Sequence, residues 1–294
     1  MTHLFDSEQQ SSRQQTTPAA TVTIAPGLAP IPNEDYNESV FQILSSRKIL
    51  ENEYLRGHAR RYFHCVRHMP HGKWLTDGKN GAALELGTSF VFPFVLKDMF
   101  KFGRVDFTDF GQPGEKSQSR KIPGDWKIRE WTSYNVNLEE EPISVHDESY
   151  DLVICFEVIE HMEKDPMYMI AEINRILKPN GVLFMTTPNS TSARNVYKIL
   201  HGYAPHFFMK YSKAATLYRH NVEYAPHQIK AIVNAGGFSV RKMWSEDLFE
   251  APMPEIIDLL SALKMPVEYR GDNILVIAEK AGPVKERYPA EIYF

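Results

Sequence analysis

The chain has 294 residues, 43% hydrophobic and 24% charged, with 33 basic against 37 acidic side chains and a net charge of −4. That is enough apolar material to core one domain of about 250 residues or two small ones, and the near balance of charge gives no global argument for nucleic acid or a membrane. No apolar run approaches the ~18 residues of a membrane span, no signal pattern is visible, and the distant pair Cys65 and Cys155 argues against a disulfide and for a reducing cytoplasm.

Residues 1–33 are rich in Gln, Ser, Thr, Pro and Ala and read as a disordered leader, because they hold too little apolar surface to offset the entropy of ordering. Residues 34–80 follow as an N-terminal helical extension or lid. Apolar stripes at Phe41, Ile43, Leu44, Ile49 and Leu50, then Tyr54, Leu55, Tyr62 and Phe63, fit helical spacing, with arginines between them. Next, Ala82 to Leu86 is a short strand that ends on Gly87, where a glycine permits a tight turn and close approach of a ligand. An apolar helix from Phe92 to Phe100 carries Pro93 in its first turn. A second strand, Arg104 to Asp109, ends on an acid.

The polar stretch 111–126 reads as an exposed loop. Its Gly111-Gln112-Pro113-Gly114-Glu115-Lys116-Ser117 lacks the spacing of a phosphate loop. A third strand is predicted near Lys127 to Val136. Leu152 to Phe156 is a continuous apolar run, as in a strand buried on both faces. Asp165 caps a helix whose first turn holds Pro166, and Met169, Ile170, Ile173, Ile176 and Leu177 form one of its faces. Lys178-Pro179-Asn180-Gly181 then turns the chain into Val182 to Met185, which completes a βαβ unit. A helix at Pro226 to Ala235, strands at Phe238 to Met243 and Asn273 to Glu279, and a helix near Pro254 to Leu263 finish the chain. Strands alternating with helices predict a doubly wound α/β domain.

Three strand ends carry chemistry. Asp109 is placed to accept two hydrogen bonds from a ribose diol. Asn137 offers an amide to an adenine edge, and Leu138 an apolar contact to its face. The first loop holds one glycine only, so it lacks the Gly-x-Gly-x-x-Gly that a pyrophosphate needs and suits a zwitterionic amino acid instead. A nicotinamide-dependent oxidoreductase is disfavoured on that ground.

The order Leu84-Glu85-Leu86-Gly87-Thr88, Asp109, Tyr150-Asp151-Leu152-Val153, Glu157-Val158-Ile159-Glu160-His161 and Leu177-Lys178-Pro179-Asn180-Gly181 resembles the class I S-adenosylmethionine-dependent methyltransferases. It is most similar to the small-molecule branch with a Glu-x-x-Glu-His segment. The resemblance covers about residues 82–279. It implies a Rossmann-like seven-stranded sheet, mostly parallel with one antiparallel strand at Asn273 to Glu279. The domain would run over 81–294, with a substrate cover at 188–225 and an inserted helix at 250–270. It further implies S-adenosyl-L-methionine as cofactor, with Glu85, Gly87, Thr88 and Ser89 at its methionine part, Asp109 at the ribose, Asn137 and Leu138 at the adenine, and Phe156 bordering it through the backbone. Ser89 and Val91 stand where the family usually has glycines, and Asn137 where it has Asp; these departures keep a cofactor-binding module without catalysis as the alternative.

Methyl transfer to a hydroxyl (or amine) gains from a general base near neutral pH. His161 and His220 are the candidates, each with a bracing role in a turn as the competing reading. No metal is expected: His201, His206 and His220 lack a tight ligand spacing. Between 188 and 224, five basic residues and several aromatics face one acid, Glu223. That mixture suits an anionic or sugar-like small-molecule acceptor, and would also suit a membrane surface; no basic stripe argues for RNA.

Overall fold

A computed structural model describes residues 58–70, 81–88, 91–110, 118–122, 129–206 and 219–294. The leader at 1–33, most of the helical extension and Ser89 lie outside the described residues. Eight strands among them form one sheet: β1 (Ala82–Leu86), β2 (Arg104–Asp109), β3 (Gln118–Ile122), β4 (Arg129–Asn135), β5 (Tyr150–Phe156), β6 (Leu177–Pro188), β7 (Phe238–Glu246) and β8 (Asn273–Lys280). Their order is β3-β4-β2-β1-β5-β6-β8-β7. From β1 the chain moves outward through β2 and β4, and from β5 it moves the other way, so the order reverses between β1 and β5. Ligands of open α/β sheets bind at the carboxyl ends of the strands beside such a reversal.

Successive residues of the central strands point to opposite faces, and each face has its own core. Val153, Cys155, Leu183, Met185, Ile274 and Val276 join one cluster, which α3 (Pro166–Ile176) and α5 (Pro226–Ala235) cover. Leu152, Ile154, Phe156, Phe184 and Leu275 join the other, under α1 (Ala59–Arg67) and α2 (Phe92–Phe94). The helix α3 begins as its sequence indicates: the Asp165 side chain accepts from the Tyr168 N–H at 3.2 Å and Pro166 opens the first turn. Helix α4 (Ala193–Leu200) lies after β6, and α6 (Pro254–Ala262) lies between β7 and β8.

The sequence understated two features. The stretch read as an exposed loop contains β3, which pairs antiparallel with β4 at the sheet edge and adds an eighth strand. Its Gln-Ser-Arg-Lys-Ile has no apolar alternation to betray it, and charged side chains are what edge strands use to resist further pairing. Beyond Phe94 the predicted apolar helix widens into a π-turn, Val95–Met99, closed by Phe100 N–H donating to the Val95 carbonyl at 3.2 Å. Strand β8 is antiparallel to both neighbours, as expected, and β7 beside it again runs with the parallel set.

Helix α1 is tied to the far side of the sheet. Glu246, at the end of β7, is met by His64 Nδ1 at 2.5 Å, His68 Nε2 at 2.7 Å and Trp244 Nε1 at 2.8 Å. Burial works to raise its carboxyl, but the hydrogen bonds from the two histidines outweigh that and hold it far below the usual carboxylate range. Tyr62, Cys65 and Val66 on the other side of α1 are fully buried.

Replacing Ile173, 1% exposed on α3, by Ala is expected to cost about 2–5 kcal/mol through lost burial and the cavity left behind, read as a lower urea midpoint at an unchanged slope.

Candidate active site

Strand β5 ends at Phe156, whose ring lies edge-on to Phe92 (4.7 Å) and Phe184 (4.8 Å) in the apolar layer. With the ring fixed there, the chain leaves the sheet sharply: Glu157 takes φ +57, a left-handed conformation that costs a non-glycine residue about 1–3 kcal/mol unless its surroundings hold it. They do. Its N–H donates to the Thr186 carbonyl at 3.0 Å, and its Oε1 accepts from Thr186 Oγ1 at 2.7 Å and Asn273 Nδ2 at 2.9 Å. Three strands, β5, β6 and β8, therefore meet on one carboxylate.

A single 3₁₀ turn, Ile159–His161, follows. Glu160 is fully buried; its Oε2 accepts from Thr187 Oγ1 at 2.9 Å, while Oε1 has no hydrogen-bond partner and lies 3.9 Å from His161 Nε2. Burial, and then the neighbouring Glu157 charge, push the Glu160 carboxyl well above its ordinary value. His161 Nδ1 lies 2.8 Å from the Arg219 carbonyl. A carbonyl only accepts, so Nδ1 carries the proton, and in the neutral ring the Nε2 lone pair is on the side of Glu160. Burial lowers the His161 pKa, which keeps the ring neutral near pH 7.

His220 arrives from a distant segment stitched onto this turn. Asn221 N–H donates to the Glu160 carbonyl at 2.8 Å and Asn221 Nδ2 to the His161 carbonyl at 2.8 Å. The His161 and His220 rings then meet edge-on at 5.1 Å, and His220 Nδ1 faces Glu223 Oε1 at 2.9 Å. Glu160, His161 and His220 each offer a ligand atom, all within 4.8 Å of one another. The two histidines singled out from sequence thus share one place, and Glu160, which sequence reasoning gave no role, lies between them and the strand ends. Its signal was its position three residues after Glu157 in the Glu-x-x-Glu-His segment.

The neighbouring loop after β1 has the other set. Glu85 is 2% exposed and its Oε2 accepts from Thr88 Oγ1 at 2.6 Å. Gly87 has φ +63, and its N–H donates to Thr108 Oγ1 at 3.0 Å. A Cβ there would come 2.9 Å from Val158 Cγ2, so this turn and the one after β5 are packed directly together. Asp109 ends β2, and its carbonyl accepts from Val136 N–H at 3.2 Å. Asn137 turns its side chain onto its own loop: Oδ1 accepts from Glu139 N–H and Nδ2 donates to Glu140, both at 3.1 Å. Leu138, 9% exposed, packs into the core beside Val136 and Ile143. Phe156, 6% exposed, has its ring in the core.

Residues 104–243, from β2 into β7, match the family described as a methyltransferase domain. Over that stretch the chain carries a methyltransferase domain, and its cofactor is S-adenosylmethionine. It is 34% identical over 67 residues to the ubiquinone biosynthesis O-methyltransferase of Photobacterium profundum, and 32% identical over 98 residues to that of Rickettsia bellii. These matches span 23% and 30% of this chain, and 28% and 40% of the relatives' own lengths. An S-adenosylmethionine-dependent methyltransferase from Archaeoglobus fulgidus is 15% identical, with a TM-score of 0.45 over 84% of this chain and 100% of that one. Among the described residues, no helix is long and apolar enough to cross a membrane.

Gly87→Ala places a side chain on a left-handed backbone and against Val158. We expect it to weaken S-adenosylhomocysteine binding by about tenfold or more, a free-energy loss of about 1.4 kcal/mol, measurable by calorimetric titration.

Proposed function

We propose that this protein transfers a methyl group from S-adenosylmethionine to a hydroxyl of a small-molecule acceptor, with His161 taking the proton. The observation that carries this reading is the fixed orientation of His161: Nδ1 is committed to the Arg219 carbonyl and Nε2 is left as the acceptor, in a ring that burial keeps neutral. Glu85, Gly87, Thr88 and Asp109 would hold the cofactor; the positive φ of Gly87 and the buried Glu85–Thr88 pair fit an amino-acid moiety lying close to the backbone. Bound there, the cofactor supplies an electrophilic methyl group on its sulfonium. The protein's part is to orient the acceptor oxygen in line, exclude water and accept its proton. A hydroxyl is favoured over an amine because the curated relatives are named O-methyltransferases. An anionic or sugar-like acceptor suits the basic and aromatic composition of residues 188–224.

Glu160 supports a second reading of the same cluster. A carboxylate oxygen without a hydrogen-bond partner and an imidazole lone pair 3.9 Å away would repel unless a positive charge lies between them. That charge is a proton on Glu160 or a cation bound by Glu160, His161 and His220. His and carboxylate ligands suit zinc or manganese rather than calcium. Held there, a cation would bind the acceptor oxygen and favour its deprotonated form.

Three measurements test these readings. His161→Ala should lower methyl transfer by about a hundredfold with S-adenosylhomocysteine affinity unchanged, whereas Asp109→Ala should weaken that affinity and so separate the two roles. Because burial lowers the His161 pKa below the ordinary imidazole value of 6.5, the acid-side fall in rate should have its midpoint below 6.5; a midpoint at or above 6.5 would remove His161 as the base. Manganese titration followed by electron paramagnetic resonance should give stoichiometric binding that Glu160→Gln abolishes if the cluster holds a cation, and none if it holds a proton.

A further inference from the structure

Nine of the thirteen large hydrophobic side chains exposed among the described residues fall in two short stretches, 197–203 and 259–269. The two stretches are parts of one structure. Helices α4 and α6 pack together through Ala193, Val196, Ile256 and Leu260. Arg270 straps them, with its carbonyl accepting from Ala193 N–H at 2.8 Å and its guanidinium donating to the Thr191 carbonyl at 2.7 Å. The helical stripe that buries Ala193 and Val196 continues to Leu200, 58% exposed, and the stripe that buries Ile256 continues to Leu263, 62% exposed. Each stripe thus runs past the helix that covers it. A concentration of exposed apolar surface like this marks a contact site.

Charge selects the occupant. From 193 to 206 the chain carries Arg194 and Lys198 and no acid, a net of +2. From 254 to 269 it carries Glu255, Asp258 and Glu268 against Lys264, a net of −2. An anionic membrane would be attracted to the first stretch and repelled by the second. A twofold-related copy of the same surface meets both conditions at once, because in an isologous contact α4 of one chain faces α6 of the other and the reverse also holds. We propose that the α4–α6 face docks a second copy of this chain, with the basic apolar end of α4 against the acidic apolar face of α6 across a twofold axis. This goes beyond the methyl-transfer reading and does not depend on it.

The test is the mass of the full chain by light scattering after size exclusion, from about 1 to 100 μM. We expect twice the 33.8 kDa of one chain, and a single-chain mass for Ile199→Glu and for Leu263→Glu, both of which alter exposed positions and should leave the circular dichroism melt unchanged. Lys198→Glu alone and Asp258→Lys alone should each weaken the dimer at least tenfold, and the two together should restore it. A single-chain mass at every concentration overturns the proposal, as does a dimer that survives both glutamate variants. Failure of the charge reversal to rescue overturns the pairing of α4 with α6. Co-sedimentation of a monomeric chain with phosphatidylglycerol vesicles would assign the face to a membrane instead.

Discussion

Everything at the candidate site depends on how Glu157 is held. A non-glycine residue at φ +57 is unfavourable in isolation, and this one persists because its backbone and carboxylate are bonded to Thr186 and Asn273. Strand β6 lies beside β5 in parallel register, with Phe156 opposite Thr186, so the hydroxyls of Thr186 and Thr187 are delivered to successive carboxylates, Glu157 and Glu160. The left-handed residue bends the chain away from the sheet within one position, and the 3₁₀ turn that follows leaves Glu160 fully buried and His161 partly exposed. Loss of the Thr187 hydroxyl would leave the fully buried Glu160 carboxyl without its donor, which costs far more than the net value of an ordinary hydrogen bond.

The architecture was legible where periodicity is strong. The apolar run Leu152 to Phe156 reads as a doubly buried strand because residues alternate into two separate cores. Asp165 and Pro166 mark a helix start because a cap and a first-turn proline have few other uses. Strand β3 was hidden for the opposite reason: an edge strand with polar residues satisfies backbone groups without burying a pattern, and the sequence registers only the burial. The π-turn after Phe94 left no trace either, since one extra residue in a turn shifts a helical stripe less than its natural scatter.

At the site, strand-end positions were readable from sequence and pairwise geometry was not. Gly87, Asp109 and Glu157 to His161 stand at the carboxyl ends of β1, β2 and β5, as the alternation of strands and helices implies. That His220 lies edge-on to His161 depends on Asn221 bonding to the carbonyls of Glu160 and His161, a contact across 60 residues of sequence that no local spacing encodes. Asn137 shows the converse. Its position after β4 suggested an adenine contact, yet its amide is used by the turn it starts, where Asn side chains commonly bond backbone two residues on.

The two-histidine clamp on Glu246 bears on where the domain begins. A boundary drawn at residue 81, by the start of the first strand, separates the sheet from the helix that closes its second core. Tyr62, Cys65, Val66 and Met69 pack in one cluster with Phe92, Phe100 and Phe184. A chain beginning at 81 would keep every strand and lose the lid of that cluster, with Glu246 left in a partly buried position without its two imidazole donors. In folding terms the amino-terminal helix is the last layer of the sheet's own core, and shortening the protein from that end is an operation on its stability before it is one on its activity.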